Sequence, residues 1–148
     1  MSLTDKTASS QTETLSFEFD LKHSPKKVWR ALTDPELLKE WLLPTIDLKL
    51  EQGAAFKFKT QAYPGWDGIV NCQFVEIEAE RKLSYKWVVG DMEIDTVVTF
   101  TLSPTASGTR LSLEQTGFKV ENKQAFGGQR YGWKMMGEKL EAVLGGLS

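Results

Sequence analysis

Side chains capable of acid–base or nucleophilic chemistry are few in this sequence and lie far apart. His23, the single histidine, lies beside Lys22 and Ser24, where we expect it at the surface without the partners that a catalytic histidine requires. The carboxylates at positions 76, 78 and 80, and at 91, 93 and 95, alternate as solvent-facing side chains do, and no cysteine or histidine cluster accompanies them. The pattern therefore predicts no catalytic residue, no metal site and no cofactor.

Large apolar side chains spaced to face one interior are the stronger candidates for function. Ligand pockets are lined mainly by apolar and aromatic side chains with a few polar groups. Here Tyr85, and Cys72 if it faces inward, would supply those groups. The predicted ligand-binding residues are Trp41, Phe56, Phe58, Trp66, Cys72, Tyr85, Trp87, Val98, Phe100, Leu113, Trp133, Met136 and Leu140. The alternative interpretation is a solid core filled by these side chains together with Leu111.

Glycines and one aromatic loop add to this hypothesis. The segment from Tyr63 to Asp67 contains Trp66, which would cap the entrance of a cavity or fold back on the core. Gly132 and Gly137 each cost about 1 kcal/mol relative to alanine inside a helix, which close packing on the sheet or room for a ligand would explain. Gly127-Gly128 is expected to be a hinge or, alternatively, an anion-binding helix start.

Length and composition favour a single folded domain. The 148 residues are 41% hydrophobic and 26% charged, and they include five Trp and eight Phe, which is typical of a globular chain. A net charge of −2 provides no positive field for nucleic acid. One cysteine fits a reducing compartment, and no stretch resembles a signal peptide or a membrane span. We expect a disordered leader over 1–14 and one cytoplasmic domain over 15–148.

The first elements are a strand and two short helices. Apolar residues alternate from Leu15 to Leu21, which predicts a strand. Ser24 with Pro25, and then Asp34 with Pro35, are N-cap and first-turn pairs that predict two helix starts. Pro44 prevents the second helix from continuing.

From Ile46 to Gln115 the apolar period changes to two, which predicts six strands joined by short turns. They are expected near 46–51, 54–60, 68–78, 82–88, 92–103 and 108–116, as an antiparallel meander with one dry face. The parity of the apolar residues changes within 68–78, so we expect a β-bulge near Phe74 or Val75 that curves the sheet.

The last element is a predicted helix over about 128–144. Its apolar stripe consists of Trp133, Met136, Leu140, Val143 and Leu147, at spacings of three and four residues. The dry face of the sheet is the large apolar surface left to cover this stripe. We therefore expect an α+β fold in which the helix lies across the sheet and the two short helices close one end.

This order of elements resembles the helix-grip fold of the Bet v 1 and START-like superfamily. Within it, four local motifs resemble the activator of Hsp90 ATPase homologue 1-like family, over about residues 15 to 147. These are Ser24 to Pro35 followed by Leu38 to Trp41, Gly53 to Phe58, Gly108 to Leu113 leading to Gly117-Phe118, and Gly132-Trp133. The resemblance implies a curved antiparallel sheet of about seven strands wrapped on the long C-terminal helix. Two positions depart from the family pattern: Glu78 to Arg81 replaces a proline pair, and Trp41-Leu42 replaces a tryptophan pair.

Three functions follow as hypotheses. The first is non-catalytic binding of a small hydrophobic or amphipathic molecule between sheet and helix. The resemblance adds an Hsp90-type chaperone cofactor in the stress response, with a chaperone as partner. Distant relatives of the fold suggest a cyclase- or hydrolase-like enzyme, which would need Glu114, Tyr85 or Asp67 buried in the pocket. The chain is expected to be a monomer or a homodimer.

Overall fold

A curved antiparallel sheet and a long helix dominate the computed structural model, which describes residues 3–5, 7, 14–61, 67–90, 94–119 and 123–147. The helices are α1 (Pro25–Thr33), α2 (Pro35–Trp41) and α3 (Lys123–Gly145). The strands are β1 (Leu3–Asp5), β2 (Thr14–Leu21), β3 (Thr45–Ile46), β4 (Ala55–Lys59), β5 (Ile69–Glu78), β6 (Lys82–Val89), β7 (Ile94–Pro104) and β8 (Thr109–Thr116).

The strands of the described residues form one eight-stranded sheet in the order β1-β2-β8-β7-β6-β5-β4-β3. Every neighbouring pair is antiparallel. The run from β3 to β8 is the predicted meander, and β2 closes it by pairing with β8. The predicted α+β arrangement of a sheet on a long C-terminal helix is therefore confirmed.

The two short helices begin as the sequence predicts. The Ser24 hydroxyl accepts a hydrogen bond from the Lys27 amide, and the Asp34 carboxylate accepts one from the Glu36 amide at 2.9 Å. Each cap supplies an acceptor for a free amide of the first helical turn, and each is followed by a proline. These starts direct Val28, Leu32 and Trp41 into the core.

Strand β5 carries the predicted bulge. Its register with β6 shifts between Phe74 and Glu76, so Val75 is the extra residue and is exposed. Val70, Cys72 and Phe74 all face inward, which settles the side of the sheet on which the thiol lies. A bulge bends its strand and increases the local twist, so the sheet curves at this point.

The strand predicted at 46–51 is wrong for most of its length. Only Thr45–Ile46 pairs with β4, because Asp47 takes a left-handed conformation with φ 56° and interrupts the extended chain. Leu50, which the alternating pattern would place on the strand, is exposed. Aspartate adopts this conformation more readily than most residues, so a local turn replaces the ladder.

Helix α3 begins earlier than predicted, and its buried stripe differs. It starts at Lys123, so Gly127 and Gly128 lie within the helix instead of preceding it as a hinge or an anion site. Packing overrides their low helix propensity, since Phe126 contacts Phe118 with ring centroids 5.2 Å apart. The fully buried positions include Leu144, which the predicted stripe missed, whereas Met136, Val143 and Leu147 are half-buried at its edge.

Gly117 directs the chain from β8 towards α3. Its φ is 110°, and a Cβ there would lie 2.9 Å from the backbone oxygen of Asp95. Both the left-handed conformation and the close approach require glycine. The turn places Phe118 beneath Phe126, where it supports the first turns of α3.

The N-terminal segment contains order where the sequence predicts a disordered leader. Leu3–Asp5 pairs with β2, with Leu3 opposite Phe19 and Asp5 opposite Phe17. The prediction is wrong for these residues, because the open edge of β2 and two cations of α3 supply partners that a local reading of the sequence does not reveal. Residues 1, 2, 6 and 8–13 of this segment lie outside the described residues.

Candidate functional site between the sheet and the last helix

The predicted ligand-binding residues converge on the space between the inner face of the sheet and α3. Cross-strand pairing places Phe56 opposite Cys72 and Cys72 opposite Trp87. Trp87 then lies 5.5 Å from Trp133 of α3, measured between ring centroids. Eleven of the thirteen predicted residues are 5% exposed or less, namely Trp41, Phe56, Phe58, Cys72, Tyr85, Trp87, Val98, Phe100, Leu113, Trp133 and Leu140.

These side chains pack on one another. Tyr85 is central, with its ring centroid 5.4 Å from that of Phe56, 6.0 Å from Phe58 and 6.2 Å from Phe100. Such distances are those of aromatic rings in contact, at tilted or edge-to-face angles. An occupant of this interior therefore requires some of these side chains to move.

Two predicted residues stand apart from this cluster. Met136 is half-buried at the edge of the helix stripe, so it borders the interior without entering it. Trp66 lies outside the described residues, and its predicted place at the entrance remains a prediction. Trp41 belongs to the cluster, and its indole N–H is used structurally, since it donates to the Ala31 carbonyl at 2.8 Å.

A buried chain of hydrogen bonds joins α3 to the sheet. The Trp133 indole donates to the Gln115 side-chain oxygen at 2.7 Å, and the Gln115 amide donates to the Thr96 hydroxyl at 3.0 Å. Thr96 in turn donates to the Trp87 carbonyl at 2.8 Å. Gln115 and Thr96 are completely or almost completely buried. The chain fixes the rotation of α3 because a buried polar group left unpaired is costly.

Gln115 and Thr96 were absent from the predicted site, although the sequence contains a signal for them. Gln115 continues the inward series Leu111 and Leu113 on β8, and Thr96 interrupts the inward series Ile94 and Val98 on β7. A polar residue at an inward position needs a buried partner. The pattern thus indicates a polar contact, but the partner on α3 is a tertiary feature.

The Trp87 indole contrasts with those of Trp41 and Trp133. Its Nε1 is buried and has no hydrogen-bond partner among the described residues, whereas both other indoles donate to an oxygen. Trp87 is 2% exposed, and its ring centroid lies 5.4 Å from that of Phe58 and 5.5 Å from that of Trp133. The interior therefore holds one unused N–H donor beside α3.

The other polar groups of the interior are neutral. Burial raises the pKa of the Tyr85 hydroxyl well above its usual value, and the neighbouring Cys72 adds to that effect. Burial likewise raises the pKa of the Cys72 thiol and outweighs a hydrogen bond with the Phe58 backbone, which acts in the opposite direction. Both groups stay protonated at neutral pH, so Cys72 is not an activated nucleophile.

Residues considered for catalysis lie away from this interior. Glu114 and Asp67 are exposed, and only Tyr85 of the three candidates points inward. His23 is half-buried, and burial together with Lys27 lowers its pKa despite the opposing charge of Glu141. Within the described ranges no group of three or more acidic, histidine or cysteine side chains is arranged to hold a metal ion.

A surface groove of about 400 Å³ lies elsewhere, where α2 approaches the end of α3. It is lined by Glu40, Lys139, Ala142, Val143, Gly146 and Leu147. None of these residues belongs to the predicted site, so the groove is separate from the sheet–helix interior. Of the helices that the structure describes, none is both long enough and apolar enough to cross a membrane.

Comparison with known families decides the classification. Residues 22–145 match the model of the family described as Activator of Hsp90 ATPase homolog 1-like protein. The chain belongs to this family. The matched segment includes α1, α2, the strands from β3 to β8 and α3, so the Activator of Hsp90 ATPase homolog 1-like domain contains the whole interior described above. No curated protein is a significant match.

Solved structures show the same helix-grip fold. Protein MLL2253 from Mesorhizobium loti is 37% identical, with 91% of this chain and 98% of that chain covered and a TM-score of 0.84. Protein CV1439 from Chromobacterium violaceum is 24% identical, with 89% and 96% covered and a TM-score of 0.78. DynU16, described as a putative protein in the dynemicin biosynthetic locus, is 18% identical, with 92% and 48% covered and a TM-score of 0.74. The last two likenesses show the fold alone.

Proposed function

We propose that this domain binds a small, uncharged, largely apolar molecule between the sheet and α3, and that the ligand accepts a hydrogen bond from Trp87 Nε1. The unpaired indole N–H is the observation that carries the proposal. Leaving a buried donor unpaired costs about 1–3 kcal/mol. A ligand oxygen would remove that cost, so the donor gives both affinity and orientation.

The buried side chains around the interior are uncharged, which supports a neutral ligand. Burial is limited to apolar and uncharged polar side chains among the described residues, so no buried cation or anion faces the interior. A carboxylate or ammonium group placed there would lose its hydration without gaining a counter-charge. Ligands with a carbonyl, ether or hydroxyl oxygen on an apolar body fit better than charged amphiphiles.

The comparisons support a binding role without naming the ligand. The family model covers most of the chain, and the described biosynthetic locus of DynU16 is compatible with a small organic ligand in a domain of this shape. The interior residues from Phe56 to Trp133 remain proposed ligand contacts, and Trp66 remains a proposed part of the entrance. A cytoplasmic location also remains a proposal.

The alternatives have narrower support. A chaperone cofactor in the stress response rests on the family's description alone. An enzymatic role rests on Tyr85, because Glu114 and Asp67 are exposed. A protonated, buried tyrosine is a donor suited to orienting a ligand as much as to catalysis.

A matched pair of probes tests the proposal. 2-Acetylnaphthalene carries a carbonyl acceptor, and 2-ethylnaphthalene has nearly the same shape without one. Titration followed by tryptophan fluorescence should show that the wild-type protein binds the ketone more tightly by about 2- to 10-fold, the value of one neutral hydrogen bond.

The variant Trp87→Phe should abolish this preference while still binding both probes. Trp41→Phe is the matched control, because the Trp41 indole N–H already donates to the Ala31 carbonyl. In this variant the preference for the ketone should persist. Equal binding of the two probes by the wild-type protein would remove the assigned role of Trp87. Failure of both probes to bind, up to their solubility limits, would count against a ligand-binding interior.

A further inference from the structure

The ordered N-terminal residues contact both the sheet and the helix that covers the proposed site. We define Leu3–Asp5 together with Thr7 as the strap. Its backbone pairs with β2, and the Thr7 hydroxyl donates to the Ser16 carbonyl at 3.2 Å and accepts from the Ser16 amide at 3.0 Å. Thr7 is 9% exposed, so these contacts are largely shielded from water. The strap therefore has a firm attachment on the sheet side.

On the helix side the contact is ionic. The Asp5 carboxylate accepts from Arg130 Nε at 2.7 Å and lies 3.2 Å from Lys134 Nζ. Its other oxygen accepts from the Thr7 amide at 2.9 Å, which orients the carboxylate towards the helix. Arg130 and Lys134 are four residues apart and so share one face of α3, beside Trp133, which faces the interior.

The helix segment that these residues hold is weak by itself. Gly127, Gly128 and Gly132 lie in its first ten positions, and each costs about 1 kcal/mol relative to alanine. A Cβ would meet nothing within 4 Å at Gly127 or Gly128, and only the end of the Met136 side chain at Gly132. Close packing therefore does not require glycine at these three positions. The segment depends on tertiary contacts to remain helical and closed.

We propose that the strap holds the N-terminal half of α3 (residues 123–134) closed over the interior, with Asp5 as its positioning residue, and that release of the strap opens the site. The gating of a ligand rests on the proposed function, whereas the hold on α3 does not. Trp133 belongs to this half, and its ring lies 5.5 Å from that of Trp87, whose indole donor is unpaired. Displacement of this half would expose the donor and give the aromatic cluster room to rearrange.

Amide hydrogen exchange of the full chain tests the hold directly. Asp5→Asn keeps the shape of the side chain but removes its charge. Exchange in residues 126–134 should become roughly 2- to 10-fold faster, as expected for losing two partly exposed ion pairs, while residues 138–145 stay unchanged. Arg130→Gln should give the same pattern, and the double variant should be no faster than the faster single variant.

Asp20→Asn is the control, because Asp20 forms a more exposed ion pair with Arg110 on the same sheet, and no hydrogen bond or ion pair among the described residues joins it to α3. It should leave exchange in residues 126–134 unchanged. If Asp5→Asn and Asp20→Asn have the same effect on this segment, the proposed hold is wrong. High salt should speed exchange in the wild-type protein and have little effect in Asp5→Asn, because it screens exposed ion pairs.

Stopped-flow association of 2-acetylnaphthalene tests the gating. Asp5→Asn should raise the association rate by about the factor seen in exchange, while its preference for the ketone over 2-ethylnaphthalene is unchanged. Faster exchange with an unchanged association rate would overturn the gating but not the hold. If neither probe binds the wild-type protein, the proposed function and its gating fail together, and the exchange measurement still decides the hold.

Discussion

The C-terminal half of α3 (residues 135–145) is held mainly by apolar burial, whereas its N-terminal half combines two buried aromatic rings with polar contacts to the sheet and the strap. Leu140 and Leu144 are fully buried in the core. In the other half, Phe126 and Trp133 are buried, Trp133 also donates to Gln115, and Arg130 with Lys134 contacts Asp5. The ion pairs to Asp5 are partly exposed and can be exchanged for water, and three glycines lower the helix propensity of this half, whereas the C-terminal half has mainly apolar contacts to lose. The glycines and the partly exposed ion pairs of the N-terminal half are the reasons for proposing that the helix opens there, above Trp87.

Leu140→Ala should give the largest effect, because it removes apolar contacts from the fixed half of the helix. We expect a loss of about 2–5 kcal/mol in the free energy of unfolding, from lost burial and the cavity left behind. Urea denaturation measures it. Met135→Ala is the control, since Met135 is 45% exposed and its truncation should change stability by less than about 0.5 kcal/mol. Similar losses for the two variants would contradict the apolar anchor.

Comparing Trp133→Phe with Trp87→Phe separates the contribution of the Trp133 hydrogen bond to stability from the effect of a smaller buried ring. Both substitutions remove the same atoms from buried rings, but only the first breaks a hydrogen bond and leaves the Gln115 oxygen unpaired. Trp133→Phe should therefore be the more destabilising by about 1–3 kcal/mol in urea denaturation. Adding Gln115→Leu to Trp133→Phe should recover only part of the loss, because it removes the unpaired Gln115 oxygen but also the Gln115 hydrogen bond to Thr96. Equal losses for the two tryptophan variants would show that the hydrogen-bond chain contributes little.

Gly132→Ala should strengthen the movable half. The added methyl meets only Met136 at 3.7 Å, an ordinary contact, so the helix gains about 1 kcal/mol from the better propensity of alanine. Thermal unfolding should shift upward, and exchange in residues 126–134 should slow. Gly117→Ala is the opposite case, since its φ of 110° and the close Asp95 backbone forbid a side chain there. A destabilising Gly132→Ala would mean that packing does require this glycine.

The smallest effect concerns the charge of Asp5 and its pH dependence. Burial alone would raise the pKa of this carboxyl, but hydrogen bonds from Arg130, Thr7 and Lys134 outweigh it and lower the pKa from 3.8 to about 2. The stabilisation is therefore complete above the unfolded-state value and is lost as the pH falls through about 2. At neutral pH, Asp5→Asn should cost about 0.2–1 kcal/mol.

Acid titration of both proteins checks this sign. The stability difference between wild type and Asp5→Asn should shrink from about pH 4 downward and be nearly gone near pH 2. A difference that grows on acidification would contradict the ionic contact. Asp20→Asn again serves as the control for a general effect of lowering the negative charge.

Local sequence patterns predicted most of the architecture, because helix starts, turns and strand faces depend on residues that are neighbours in the sequence. The helix starts at Ser24 and Asp34, the meander and the bulge after Phe74 all follow from caps, turns and parity. The strand at 46–51 failed because a single left-handed residue, Asp47, cannot be read from alternation. The start of α3 was placed too late because packing of Phe126 on Phe118 overrides the glycines.

The candidate site was predicted in composition but not in its polar contacts. The alternation of apolar residues identified the aromatic cluster, including Tyr85 and Trp87, because every second residue of a strand faces the interior of the domain. Which indole is paired depends on where Gln115 and Ala31 lie in three dimensions, and the contact of Asp5 with Arg130 joins residues 125 positions apart. Such pairings arise from the assembled fold, and no local pattern contains them.

The most direct test follows the Trp87 indole N–H itself, by nuclear magnetic resonance of the ¹⁵N-labelled protein, with Trp87→Phe to assign its signal. On addition of 2-acetylnaphthalene this proton should shift downfield, as a newly formed hydrogen bond requires, while 2-ethylnaphthalene should cause no such shift. The Trp41 and Trp133 indole protons, which already donate to protein oxygens, provide internal references. An identical response of the Trp87 proton to both compounds would contradict its role as the donor that recognises the ligand.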